Sequence, residues 1–571
     1  MMRGVSGLQS VARVILKTSL AFLIWHSARS LHAVECNVVH HGPPTDADKA
    51  LLATDFARAE SLYRTALAAH PGDPELTAGL VHALLRGQKV QDAADTVKAA
   101  LAAAPNTPAF ITLRGEVEYR QGFPWLAAQS ANESIKLDPC NPRTQLLLAD
   151  LARINSLYAT SRRQLVNAHS LDPEDPEIRE EWVGTLPIGL RISELESLLN
   201  SPSGMDEEEL RRTRQYLDHL KKQVAEPHKA CRLVSSVSST DIPFTNLMYD
   251  ANHIRAFGLE VKFNNHSARL QIDTGAGGLL VSRSVAERAG LKAFSQTEVG
   301  GIGDKGAKSG YTAFADSIRI GNLEFHDCSV EVIDGRNVMD DSDGLIGMDV
   351  LSSFLVTLDF PMRKLLLSPL PPRPGEASTS APSLNTGNSD AQSSGASTDS
   401  AAAAPSPAAN GTSPPAAKPA PHGPYDRYIA PEMKDYTAVY RVGHFLILPA
   451  ALSSDKLKLF IMDTGAWSTT ISPEAAREVT KVHNDNEMEV KGLSGKVEKI
   501  YSASDVTFRF AHLSQKANDV VAFDTSHISK NVGMEISGFL GANTLYLLTI
   551  HIDYRDGLVK FDYNPNRGYL H

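Results

Sequence analysis

Two stretches decide how this chain is read: Leu270-Gln271-Ile272-Asp273-Thr274-Gly275-Ala276 and Phe460-Ile461-Met462-Asp463-Thr464-Gly465-Ala466. In each, an apolar strand runs into a tight turn that holds one aspartate at its tip. Glycine at 275 and 465 admits backbone conformations closed to other residues, and the neighbouring threonine hydroxyl can bond an equivalent loop. One such tetrapeptide is a weak signal. Two in matching surroundings are a strong one.

The surroundings do match. Leu259 to Phe263 alternates apolar and polar residues, Asn264-Asn265 marks a turn, and Ala268 to Ile272 returns as a strand into Asp273. Leu457 to Met462 is the corresponding approach to Asp463. Leu279-Leu280-Val281 and Thr469-Thr470-Ile471 follow the two turns, then helix-like stretches at 284–289 and 473–478. Each copy continues with a glycine-punctuated hairpin, carrying Gly301 and Gly303 in the first and Gly492 and Gly495 in the second. Gly344-Leu345-Ile346-Gly347 and Gly538-Phe539-Leu540-Gly541 come next, at nearly the same distance from their aspartates. Asp359 and Asp553 then stand at the ends of apolar strands, where a structural role is expected. Order and spacing together indicate an internal duplication.

Each copy resembles a retropepsin-like (retroviral-type) aspartic peptidase subunit, over residues 243–370 and 425–567. Ala276 and Ala466 favour that subfamily over pepsin-like enzymes. Such subunits work in pairs, so the resemblance implies two all-β acid protease domains forming an intramolecular pseudo-dimer. It implies an aspartic endopeptidase acting on a peptide or protein substrate, with Asp273 and Asp463 as catalytic residues. Two adjacent carboxyls cannot both ionise cheaply and share a proton. The ionised one draws a proton from a water while the protonated one polarises the scissile carbonyl. Thr274, Gly275, Ala276, Thr464, Gly465 and Ala466 would support the loops. Gly301, Gly303, Gly492 and Gly495 would lie in flaps that close over the peptide. No metal or organic cofactor is implied. The competing reading is a catalytically inactive, peptide-binding scaffold.

Ahead of these copies the period is helical. Pro71, Pro105, Pro139 and Pro173 recur at a constant interval of 34 residues, and Pro74, Pro108, Pro142 and Pro176 keep the same interval. Proline ends one helix and is tolerated in the first turn of the next. Ala59, Ala93, Ala127 and Ser161 occupy one phase, where small side chains let paired helices approach. The pattern resembles tetratricopeptide repeats, with three full copies and a partial first one. That resemblance implies an all-α helical-repeat solenoid, with a surface for a protein partner or substrate.

The expected organisation is a signal peptide at 1–33, repeats and cap at 46–230, and protease-like domains at 231–370 and 425–567. Between the latter, 371–424 is Pro/Ala/Ser-rich and expected to be disordered, with an end-to-end span of about 40 Å. The leader carries Arg3, Arg13 and Lys17 before a short apolar core, which points to export to a periplasmic or extracellular space. Its core is too short for a transmembrane anchor. The net charge of -10, from 66 acidic and 56 basic side chains, argues against nucleic acid. Cys36, Cys140, Cys231 and Cys328 lie far apart and read best as isolated thiols. Gly301 to Gly306 fits GxGxxG, but no helix follows, so a flap explains it better than a nucleotide site.

Overall fold

The computed structural model describes residues 2–4, 35–200, 204–248, 250, 253–303, 306–334, 342–374, 382–385, 425–485 and 488–565. The expected leader falls outside these, apart from Met2–Gly4, which pairs antiparallel with Leu513 to Gln515. An N-terminal helical repeat region is followed by a β-rich region of several sheets. No helix among the described residues is long and apolar enough to cross a membrane.

The proline series sets the helical region. Pro74, Pro108, Pro142 and Pro176 each open a helix, and Asp73, Asn141 and Asp175 cap three of those helices by accepting backbone N–H bonds. Three full pairs result: Pro74–Arg86 with Val90–Ala103, Pro108–Arg120 with Pro124–Leu137, and Pro142–Ile154 with Tyr158–Leu171. A partial pair, Asp46–Leu52 with Phe56–Ala69, precedes them. A shorter pair, Pro176–Val183 with Ile188–Leu199, occupies part of the stretch read as a cap, and Glu207–Ala225 closes the region. Ala59, Ala93 and Ala127 are fully buried and Ser161 nearly so, the close packing that small residues permit.

The β-rich region has two lobes built on one plan. In the first lobe, Gly344–Gly347 inserts between His266–Asp273, to which it is parallel, and Leu279–Ser282, to which it is antiparallel. In the second, Gly538–Leu540 inserts in the same way between Leu457–Met462 and Thr470–Ile471. Gly344 and Gly538 head the inserted strands, where a Cβ would collide with the carbonyls of Leu280 and Thr470 respectively. A six-stranded sheet joins the lobes. Its centre is the antiparallel pairing of Phe354–Asp359 with Leu548–Asp553, which register Leu355 on Asp553 and Asp359 on Thr549. Asp359 and Asp553 therefore serve the inter-lobe seam. Their oxygens take the Met362 and Asp556 amides, at 3.1 Å each.

The helical region docks on both lobes. Ala127, Leu147, Leu151 and Ile154 share one apolar cluster with Ile447, Leu459, Met534 and Phe539 of the second lobe. The Glu535 amide donates to the Arg120 carbonyl at 2.9 Å, and Thr160 binds the Asp426 carboxylate through N–H and hydroxyl. The helix Glu207–Ala225 lies against the first lobe's strand Lys292–Val299, through Arg211 to Glu298 (2.8 Å) and His219 to Ser295 (3.0 Å). Lys530 of the second lobe meets Asp206 at its capped end, at 2.7 Å.

Two expectations are corrected. The cysteines are not isolated thiols: Cys36 bonds Cys140, and Cys231 bonds Cys328. Sequence separations of 104 and 97 residues hid both pairs. The stretch 371–424 is also not uniformly unstructured where it is described. Leu384 is buried in the first lobe's core, and the Asn385 amide donates to the Val350 carbonyl at 2.8 Å. A lone leucine in a polar run can still bury its side chain. The remainder of that expectation, at 375–381 and 386–424, lies outside the described residues.

At the seam, both described ends of the connection converge on Asp556, a fully buried carboxylate. Arg373 and Arg555 pair with it and the Tyr428 amide donates to it at 2.9 Å. The Arg373 guanidinium also lies 3.5 Å from the centre of the Tyr425 ring.

Candidate active site

Asp273 ends the strand His266–Asp273, and Asp463 follows the strand Leu457–Met462. Four reciprocal hydrogen bonds lock the two turns together. The Thr274 amide donates to the Thr464 hydroxyl (3.1 Å) and the Thr464 amide to the Thr274 hydroxyl (3.0 Å). The Thr274 hydroxyl donates to the Met462 carbonyl at 2.8 Å and the Thr464 hydroxyl to the Ile272 carbonyl at 3.0 Å. Both threonines are buried, so these bonds carry no competition from water.

The lock brings the two carboxyls within hydrogen-bonding reach of each other. Gly275 and Gly465 make that approach possible. A Cβ on either would come within 2.5 Å of the carboxyl carbon of the opposite aspartate. Gly275 and Gly465 also donate their amides to their own loop's aspartate, at 2.8 Å each, and Ala466 adds a third bond at 3.0 Å. Burial is the largest force on both acids and raises both above the ordinary carboxylate range. For Asp273 the neighbouring Asp463 charge adds to the rise, while for Asp463 the Ala466 and Gly465 amides oppose it. The pair therefore holds a proton to a higher pH than an isolated carboxylate does.

The glycine hairpins of the two lobes meet each other. The Gly301 amide donates to the Ser494 hydroxyl at 3.2 Å, and the Ser494 amide to the Ile302 carbonyl at 3.0 Å. Gly303 and Gly492 lie at the same junction, where a Cβ would meet the Gly495 and Ile302 backbones. No helix follows Gly301 or Gly303. The strand Lys308–Ile320 does, as a flap requires and a dinucleotide loop does not.

Three contributors escaped the sequence reading. His444 bonds the Gly275 carbonyl, and burial pushes its ring down to about 4, so it supports the loop as a neutral group. Tyr546 donates to the Thr464 carbonyl at 3.4 Å and packs its ring at a tilt against Phe257 and Phe360. Asp349 accepts the Gly278 amide at 3.0 Å, and its counterpart Asn543 accepts the Thr469 amide at 2.8 Å. Only this last pair left a signal, two residues after the final glycine of each copy. Trp467, in contrast, is 58% exposed beside the Asp463 loop, so it has no packing role.

Asp349 yields a stability prediction. Burial raises its carboxyl from the ordinary 3.8 to about 6. The folded state thus binds the proton more tightly, and stability is lost as pH climbs from about 4 through about 6. Asp349→Asn keeps the acceptor oxygen that Asn543 already uses. It should raise unfolding free energy at pH 7 by about 2–3 kcal/mol and leave it nearly unchanged below pH 4. Urea unfolding at both pH values tests this, and equal shifts at the two would refute the titration argument.

Comparison with known proteins bears on this centre directly. Residues 259–350 match the aspartyl protease family. The chain holds an aspartyl protease domain. The matched segment of the protease domain includes Asp273 and stops before the Asp463 half. Residues 50–117 match the tetratricopeptide repeat family, so the helical region holds such repeats. The DNA damage-inducible protein 1 of Neurospora crassa is 30% identical over 111 residues. That match covers 19% of this chain and 24% of the relative, so the chain spans about a quarter of that protein's length. Among solved structures, the aspartic proteinase from Irpex lacteus is similar at 12% identity, covering 57% of this chain and 98% of its own, with a TM-score of 0.30. A thermophilic tetratricopeptide protein of Thermus thermophilus is similar at 19% identity, covering 30% of this chain and 95% of its own, with a TM-score of 0.25.

Proposed function

We propose that the protein is an aspartic endopeptidase whose single active centre is shared by its two lobes. The observation that carries this reading is the pair Asp273 and Asp463, brought within reach of each other and held by the Thr274 and Thr464 lock. One carboxyl of the pair stays protonated and polarises the peptide carbonyl. The other takes a proton from a water, which attacks the carbonyl carbon. The flap tips must part to admit a peptide and close again to exclude solvent. Replacing each aspartate singly by asparagine is the decisive test.

The direction of the carboxyl shifts sets a pH profile. Activity needs one proton on the pair and disappears when that proton leaves. Because burial and the Asp463 charge raise Asp273, the alkaline limb of kcat/KM should fall well above the ordinary carboxylate range. A limb centred near pH 4 would contradict the coupled pair.

The repeats, on this reading, serve protein recognition as well as internal support, since part of their surface already engages the two lobes. Export from the cytoplasm belongs to the same proposal. Two disulfides support an oxidising compartment.

A further inference from the structure

The stretch from Asp206 to Arg211 meets three units of the molecule at once. Asp206, the N-cap of the helix Glu207–Ala225, pairs with Lys530 of the second lobe at 2.7 Å. Glu209 pairs with Arg86 of the first full repeat at 2.8 Å, and Arg211 with Glu298 of the first lobe at 2.8 Å. From there the helix follows the flap strand Lys292–Val299 in the opposite direction. His219 bonds Ser295 at 3.0 Å, and the Lys222 ammonium donates to the Phe294 carbonyl at 3.1 Å. Between Arg211 and Lys222 the helix advances about 16 Å, and between Glu298 and Phe294 the strand covers about 13 Å, so the three contacts fall in step.

The base of the same hairpin is gripped by rings. His228 stacks on Phe314 with centres 3.8 Å apart, and His219 and His228 each meet Phe294 edge-on, at 5.5 and 4.9 Å. Phe294 and Phe314 belong to the hairpin's two strands, Lys292–Val299 and Lys308–Ile320, so both are held. The second lobe's hairpin is secured differently. Its Lys496 pairs with Glu489 at 2.9 Å within its own stem, and Leu493 at its tip packs on the cluster of Leu280, Val299, Ile333 and Leu345. Withdrawing that hairpin releases Leu493 and the bonds between the tips. Lifting the first flap would also break its bonds to Arg211, His219 and Lys222.

We propose that the helix Glu207–Ala225 clamps the first lobe's flap, that Arg211 and His219 are positioning residues for peptide binding, and that the second lobe's hairpin is the gate. The kinetic consequence rests on the peptidase reading; the clamp itself does not. A flap already held in place loses little freedom when a peptide arrives, so the clamp favours binding over the chemical step. Half-exposed ion pairs are weak one by one, and the rings and the His219 bond supply the rest of the hold. Because Glu209 and Arg211 lie on neighbouring positions of one helix, the clamp also ties the flap to the repeats through Arg86.

The test is hydrogen exchange of the intact protein, read by mass spectrometry beside peptide hydrolysis. Amides at 294–303 should exchange about tenfold more slowly than those at 490–497, the scale that one or two such contacts set. Arg211→Ala with His219→Ala should erase that difference by speeding the first flap and leaving the second as it was. Peptide KM should then rise about tenfold while kcat stays within about twofold. Arg211→Glu alone should also speed the first flap, and adding Glu298→Arg should slow it again, a rescue that general unfolding would not give. Exchange at 294–303 unmoved in the alanine variant, or unrescued by the charge swap, overturns the inference. A fall in kcat with KM unmoved overturns it too. Exchange needs no turnover, so a protein that shows these shifts yet cleaves nothing loses the peptidase reading and keeps the clamp.

Discussion

Asp273→Asn is expected to lower peptide hydrolysis at least about 10³-fold, and Asp463→Asn to do the same, the scale of loss when positioned acid–base chemistry is removed. The double variant should be little worse than either single one, because the two residues act as a unit. The reason is geometric. Each aspartate lies against the opposite loop's glycine, and neither loop keeps its shape without the other's threonine. Asparagine is nearly isosteric and bonds the same loop amides, so folding should persist and circular dichroism should be unchanged. A centre shared within one chain dies with either substitution. Separate centres in a multichain assembly would keep about half the activity after one. That residual half is the outcome to look for, in single-turnover assays of the purified protein in whatever assembly it forms.

Breaking Cys231–Cys328 by paired serine substitution should cost up to about 4.7 kcal/mol of unfolding free energy, the loop-closure estimate for a ring of about 100 residues. The bridge joins the segment leaving the helical region to the strand Leu323–Ile333, where Cys328 is wholly buried. Its loss frees the repeats from the first lobe at one point. The pairing of Arg232 and Leu233 with Phe325 and His326, the Arg232–Asp327 ion pair and the contacts of Glu207–Ala225 must then hold that junction. Urea unfolding of the oxidised and serine forms measures the difference. A change below about 1 kcal/mol would mean the unfolded chain is not entropically released by the cut, contrary to the loop argument.

Much of this architecture was legible in the sequence because it rests on local rules. A proline every 34 residues had to open helices, and Pro74, Pro108, Pro142 and Pro176 do so. The two aspartate turns and their glycine hairpins were visible because a duplicated cassette is its own alignment. What sequence hid was contact at long range. The disulfide partners, the burial of Leu384 and the bond from His444 to Gly275 depend on surfaces that meet only after each unit has folded. Periodicity carries no record of such meetings. The pair of helices at 176–199 opens in phase at Pro176, but its first helix has 8 residues against 13 in each full repeat, and so it read as a cap.

The convergence on Asp556 bears on the covalent continuity of the molecule. Arg373 arrives there from the first half, while Tyr428 and Arg555 belong to the second. Scission of the backbone anywhere between 386 and 424 therefore leaves two polypeptides clasped by a buried ion pair and a shared six-stranded sheet. Such a nicked form should migrate as one particle on gel filtration and as two bands under denaturation, and it should remain competent for hydrolysis.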